Sequence, residues 1–342
     1  MIAKKQTDES NEFFTFEYFI SRIDRKGESA QAKPSRISEE WARVQRDFLR
    51  LKGWFDDQLL YHKIGFLVTV GHDLSGLMSD SETMSKQTFG NSLDKKIVSA
   101  LAVTRDKFVS LSYQTENDKP IMEKILLLFN IESICHLKNS TERYSFNAHK
   151  GETGWSLEHI HAQESEGLNN ERDWTEWLQE HRKSLKELDF DHLESDKSDE
   201  LSATRDELLE NIDSALNSIT RVQFLKLFPR VVSLLSESDE TDYLHTMSNM
   251  ALLSRSMNSA FKNSTFAVKR AKMLGKDRQG EYIPICTRRV FLKYYTETEQ
   301  QQLSFWGKTD RDAYIERFIG TEKNPELGLL SRYLTMPREK IS

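Results

Sequence analysis

Two stretches decide the fold: Trp155-Ser156-Leu157-Glu158-His159-Ile160-His161, and, much later, Met247-Ser248-Asn249-Met250-Ala251-Leu252-Leu253. The first alternates in character from Leu157 to His161, the period of a half-buried strand. The second is a short apolar run of strand length. Almost everything around them carries apolar residues at helical spacing. A mainly α chain with one small β-hairpin follows from that contrast: a helical N-terminal domain, then a hairpin domain interrupted by a helical insertion. On a regular strand His159 and His161 share a face and Glu158 points the other way. Using Glu158 and His159 at one site therefore needs a bend, a strand end or a bridging water.

The chain has 342 residues, 37% of them hydrophobic and 30% charged, enough for two or three domains with a sizeable core. Only six prolines and 14 glycines interrupt it, which favours helix. No apolar run is long enough to span a bilayer, so no membrane partner is expected. Met1 to Glu12 is polar and lacks the apolar stretch of a secretory signal. Cys135 and Cys286 stand alone, which fits reduced thiols and a cytoplasmic location.

Outward from the hairpin, Trp41, Val44, Phe48 and Leu51 repeat at helical spacing, and Leu59 to Val70 reads as a buried helix. The run from Trp54 to Val70 reads as core. Ser79 to Ser85 reads as a polar loop, with further helices over Asp94 to Val109 and Lys119 to Phe129. The polar stretch Asn139 to Gly154 marks a boundary between domains 1–150 and 151–342. Between the two strands lies an acidic insertion, about 164–242, with helices over Arg172 to Leu188, Leu201 to Ile219 and Val222 to Leu235. Asp189 to Glu200 reads as a mobile acidic loop. Arg255 to Leu274 reads as a helix or helix pair, and Asp310 to Ile319 as a helix with Asp310 and Arg311 paired at its start.

The net charge is −6, but it is unevenly spread. Arg255 to Lys293 holds ten Lys and Arg against Asp277 and Glu281, a net of +8. Glu164 to Asp242 holds 21 acidic against nine basic residues, a net of −12. A basic segment beside the second strand suits phosphate binding; the same run also reads as a solvated helix face.

Hydrolysis of a phosphodiester needs an activated water, neutralisation of developing charge and help for the leaving oxygen. His159 suits the first task. Glu158 and Asn258 are oxygen ligands of the kind Mg²⁺ accepts alongside water and phosphate. His159, His161 and His245 also permit a zinc reading, although their spacing matches no zinc motif.

Glu158-His-Ile-x-x-Gln163, Ser248-Asn-x-x-Leu-Leu253, Asn258 nine residues after Asn249, Lys262-Asn263 and Phe266-x-x-Lys269-Arg270 resemble the core of an HNH (His-Me finger) nuclease. More narrowly, the chain resembles the C-terminal nuclease part of GmrSD-type restriction endonucleases. Tyr282 to Thr287, Val290 to Tyr295, Trp306, Asp310-Arg311 and Tyr314 add to that resemblance, as do Trp54-Phe55, Leu60 to His62 and Ile64 to Phe66. It covers about residues 40–315.

The resemblance implies a ββα-metal domain and a DNA endonuclease acting on foreign or modified DNA in anti-phage defence. His159 would be the general base and Asn249 would steady the motif or the scissile phosphate. Glu158 and Asn258 would bind one Mg²⁺ or Mn²⁺. Lys262, Lys269 and Arg270 would contact the DNA backbone. His161, Gln163 and Asn263 would stand behind these. The products would carry a 5′-phosphate and a 3′-hydroxyl. Ala162 replaces a proline common in the family, and the Asp-Gly-Gln-Gln-Arg motif of the nucleotide-dependent N-terminal module is missing. That module would then sit on a separate GmrS-like subunit, or the protein works without it, as a homo-oligomer or alone. The competing expectation is a DNA-binding or regulatory subunit that kept the fold and lost cleavage.

Overall fold

The computed structural model describes residues 13–24, 31, 33–149, 154–162, 168–190, 194–237, 240–261, 263–296 and 303–335. Among these the chain is mainly helical, with one two-stranded antiparallel sheet. It divides into two units, 1–100 with 139–143, and 101–138 with 144–342. The expected boundary near residue 150 and this division differ over 101–138 and 144–150, which go with the hairpin.

The first unit contains α1 (Phe14–Ile23), α2 (Lys33–Asp56), α3 (Gln58–Thr69), α4 (Leu74–Glu82) and most of α5 (Lys86–Leu101). Asp57 and Asp73 start α3 and α4 by accepting the backbone N–H of Leu60 and Gly76, the usual task of an N-cap carboxylate. The Asp73 cap extends helix into the segment read as the loop Ser79 to Ser85. Helix α3 is buried through Leu60, Ile64, Phe66 and Leu67, as its apolar pattern requires.

The second unit is built around α7 (Lys119–Cys135), preceded by the short α6 (Arg105–Ser110). From Ile125 to Ile134 every residue of α7 is buried. A helix buried all round belongs at a centre, and α7 packs on both strands of the hairpin and on α14 (Ile285–Phe291). Its one buried amide, Asn130, is satisfied by Leu126 O and by the Cys286 N–H. Helix α8 (Phe146–His149) leads into β1 (Trp155–His159), which pairs with β2 (Met250–Ser254). The register sets Trp155 against Ser254, Leu157 against Leu252 and His159 against Met250. Helix α12 (Arg255–Phe261) follows β2 without a loop, and α13 (Phe266–Arg278) follows closely. Of the two readings, one helix or a pair, the pair is present. Helix α15 (Lys308–Ile319) closes the unit.

The insertion is a three-helix lobe of α9 (Glu171–Lys186), α10 (Ser195–Ala215) and α11 (Arg221–Leu234). It has its own core, with Trp177, Leu178, Ile212, Phe224 and Val231 inside. Residues 195–200, read as mobile loop, form the first turns of α10. No described helix is long and apolar enough to cross a membrane.

Candidate functional site at the hairpin

His159 ends β1, and the strand stops there because a side chain takes over the ladder. Ile160 N–H still reaches Asn249 O at 2.8 Å. The next N–H, of His161, goes to Asn249 Oδ1 at 2.9 Å. Asn249 Nδ2 donates to His161 O (2.8 Å) and to Leu244 O (2.9 Å). One fully buried carboxamide thus ties the strand end carrying His159 to the turn carrying His245. Of the two roles expected for Asn249, steadying the motif is the one this geometry performs.

The two histidines meet, His159 Nε2 lying 3.3 Å from His245 Nδ1. Tyr113 packs edge-on to His159, with ring centroids 4.7 Å apart, and its N–H donates to His245 O at 2.8 Å. Lys119 lies over the Tyr113 ring, 4.7 Å from its centroid. Burial, with Lys269 and His245 adding to it, pushes the His159 imidazole down to about 3, so it stays neutral at ordinary pH. Its Nδ1 has no hydrogen-bond partner among the described residues. Neither His245 nor Tyr113 was expected in a nuclease role. His245 appeared only in the zinc reading, and Tyr113 comes from the loop between α6 and α7 with no local signal.

Glu158 points to the other side of the strand, as alternation requires. Its carboxylate is buried against Lys269, with Nζ 2.5 Å from Oε1. The contact is well within ion-pair distance, although its angles are poor for a hydrogen bond, so Oε1 has a charge partner and no proper donor. Lys269 Nζ also donates to His159 O at 2.6 Å. Burial raises the Glu158 carboxyl and lowers the Lys269 ammonium, and each partner works against the other's shift. We take the pair as ionic, since two groups this close stabilise each other's charge.

Asn258, on α12, donates through Nδ2 to Ser156 Oγ (2.9 Å) and Leu157 O (3.1 Å), closing the helix onto β1. Ser156 and Glu158 share a face of the strand, so Asn258 and Glu158 lie on the same side of the hairpin. One carboxylate and one carboxamide oxygen are the right donor chemistry for Mg²⁺ or Mn²⁺. The arrangement of the side chains, however, does not fit a divalent ion. The Lys269 ammonium already stands on the carboxylate, and a dication beside it would meet a like charge in a buried setting. No group of three or more His, Cys, Asp or Glu among the described residues is placed to hold a metal.

Of the expected backbone-contacting cations among the described residues, Lys269 is buried and Arg270 half-buried. Lys269 is only 1% exposed and cannot touch DNA as it lies, because its charge is spent on Glu158. Arg270 is half-buried, and burial lowers its guanidinium. Lys262 and Gln163 lie outside the described residues. Other cations of the basic run also stand on carboxylates: Lys272 on Glu180 (2.8 Å), Lys276 on Glu281 (2.6 Å), Arg288 on Asp277 (3.0 Å) and Lys293 on Asp310 (2.6 Å). Asp310 therefore pairs with Lys293 instead of Arg311, which reaches Trp306 O and lies over the Tyr243 ring.

Both ring nitrogens of His161 are engaged within the protein. Its Nδ1 accepts the Phe266 N–H (3.1 Å), and its Nε2 faces Ser236 Oγ (3.1 Å). His181, on α9, accepts the Thr265 N–H at Nε2 (3.1 Å) and donates from Nδ1 to Trp177 O (2.7 Å). Two neutral imidazoles thus cap successive N–H groups at the start of α13, where orphan donors need acceptors. Burial pushes both down to about 3. With both ring nitrogens of His161 engaged, the zinc reading loses a ligand. Asn263 contributes its carbonyl, which accepts from Trp177 Nε1 at 2.9 Å.

Comparison with family models, with curated proteins and with solved structures finds no match to this chain.

Proposed function

We propose that the protein is an HNH-type (His-Me finger) DNA endonuclease, acting on foreign or modified DNA in a restriction or anti-phage system. One observation carries this reading: a hairpin runs straight into a helix, with a histidine at the end of the first strand, Asn258 hydrogen-bonded to that strand and Asn249 to His161 just beyond its end. That is the framework on which the sequence resemblance rests.

In the proposed reaction His159 is the general base. If its Nε2–H donates to His245 Nδ1, the lone pair of Nδ1 is left to take a proton from water attacking phosphorus. The phosphorus–oxygen bond to the leaving 3′ oxygen breaks as the new bond forms, and that oxygen takes a proton from solvent water to become the 3′-hydroxyl. His245 and Asn249 act through His159, by fixing its tautomer and its place. Mg²⁺ or Mn²⁺, implied by the resemblance, enters as the variable of the test, because Lys269 would have to leave Glu158 first.

The Glu158–Lys269 pair, together with the internally paired cations, favours a second reading: a DNA-binding or regulatory subunit that keeps the fold without cleavage. A separate GmrS-like partner, or a second copy of the chain, belongs to either reading. A supercoiled-plasmid nicking assay with Mg²⁺, Mn²⁺ or EDTA separates the two. The nuclease reading expects nicked or linear product in at least one metal condition. DNA binding with no product under any of them overturns it in favour of the second.

A further inference from the structure

A cation of the chain itself sits where the hairpin meets α13. Lys269 lies one turn into that helix, its N–H donating to Thr265 O at 3.1 Å. Its Nζ has two oxygens beside it, Glu158 Oε1 at 2.5 Å and His159 O at 2.6 Å. One belongs to a carboxylate and the other to the main chain of the next residue. Hard divalent ions take oxygens of both kinds. Here an ammonium takes them, and water is kept out: the side chains of Lys269 and Glu158 are 1% and 7% exposed.

The ammonium is held in place from both sides. Helix α13 is fixed at its start, where His161 Nδ1 accepts the Phe266 N–H and His181 Nε2 the Thr265 N–H. His161 is in turn tied through its backbone to Asn249 at the strand end. The strand that carries Glu158 and the helix that carries Lys269 are therefore joined by buried hydrogen bonds. Asn258 does not turn its oxygen to this strand. Leu157 O can only accept, so the amide nitrogen of Asn258 faces β1. Lys272, also on α13, adds a second positive charge that acts on Lys269. A dication entering here would be repelled by both ammonium groups in a setting with little water to screen them.

We propose that Lys269 is the resident cation of this site and closes it to divalent metal. Its ammonium does for Glu158, and for the strand end that carries His159, what a bound ion would do. The proposal goes beyond the endonuclease reading and stands whether or not the chain cuts DNA. It also says what opens the site. Lys269→Ala strands the buried carboxylate without a partner. The vacated space then has Glu158 Oε1 and His159 O to offer an incoming ion.

The test is a Mn²⁺ titration of the full chain. Free ion is followed by electron paramagnetic resonance, and the imidazole signals of His159 and His161 by paramagnetic broadening in NMR spectra. In the wild type these signals are expected to keep their line widths at millimolar Mn²⁺. Lys269→Ala is expected to gain one Mn²⁺ per chain, bound at least about tenfold more tightly than at any wild-type site, and to show the broadening. Its denaturant midpoint should rise with Mn²⁺ while that of the wild type stays put. Adding Glu158→Gln should abolish the gain. Selective broadening of His159 and His161 in the wild type overturns the proposal, and so does a folded Lys269→Ala that gains no Mn²⁺ site. The wild-type titration decides alone should Lys269→Ala fail to fold. Absence of plasmid nicking counts against the endonuclease reading only, and Mn²⁺ at the wild-type hairpin against this proposal only.

Discussion

Helices α2 and α13 invert the usual expectation in opposite ways. Helix α2 carries a regular apolar stripe and exposes much of it, whereas α13 lies in a strongly basic segment and buries a lysine. Periodicity gives the angular position of a residue on a helix; it does not say which side the rest of the chain will cover. That choice depends on distant partners. Glu158, the carboxylate that draws Lys269 inward, lies over a hundred residues away, beyond the reach of any local pattern.

The comparison breaks most easily at Lys269. Replacing it with Met strands a buried carboxylate, and a loss of about 3–5 kcal/mol is expected by chemical denaturation of the full chain. Adding Glu158→Leu should recover most of that loss, since a buried pair exchanged for apolar groups is often near neutral. A single variant as stable as wild type would mean that Glu158 holds no charge or is not buried.

Acid should act on the same region. His159, His161 and His181 are all depressed to about 3 in the fold, against about 6.5 when unfolded. Below 6.5 the unfolded chain binds protons that the folded unit refuses. Stability is therefore full above that value and falls as pH drops from 6.5 toward 3. The expected cost is about 1.4 kcal/mol per histidine by pH 5.5, roughly 4 kcal/mol in all. Denaturant midpoints between pH 7.5 and 5.5 measure this. His181→Gln, which keeps an acceptor for Thr265 N–H, should make the fall shallower.

Asn249→Ala removes three buried hydrogen bonds and should cost about 3 kcal/mol. The His159–His245 contact should loosen with it, visible as altered imidazole ¹⁵N shifts. At the other extreme, Phe48→Ser on α2 should change the unfolding free energy by less than about 0.5 kcal/mol, despite deleting an aromatic ring. A large loss there would show the stripe to be covered within one chain.

Much of the scaffold was legible. The helices of the insertion and the strand pair follow from period, and from residue types suited to each element, whereas Arg255 to Leu274 read equally as one helix or two. Strand ends were less so. Alternation carries β1 on to His161, but a side-chain amide from residue 249 displaces the ladder there and stops it at His159. Of the candidate site, the hydrogen bonds show Asn249 holding the backbone of His161 and Asn258 holding Ser156 and Leu157, on the side of the strand opposite His159. The site's electrostatics were not legible. Counting charge along Arg255 to Lys293 gave a phosphate-binding surface, yet half of those cations are paired with carboxylates. The same limit hid the capping roles of His161 and His181, which depend on N–H groups at the start of α13.

The central claim is that the imidazole at the end of β1 activates water for attack on phosphorus. Nicking of supercoiled plasmid by wild type and by His159→Ala, both checked for folding by circular dichroism, tests it most directly. The account predicts cleavage by the wild type and a loss of at least about a hundredfold in the variant. Equal cleavage by the two proteins would contradict it.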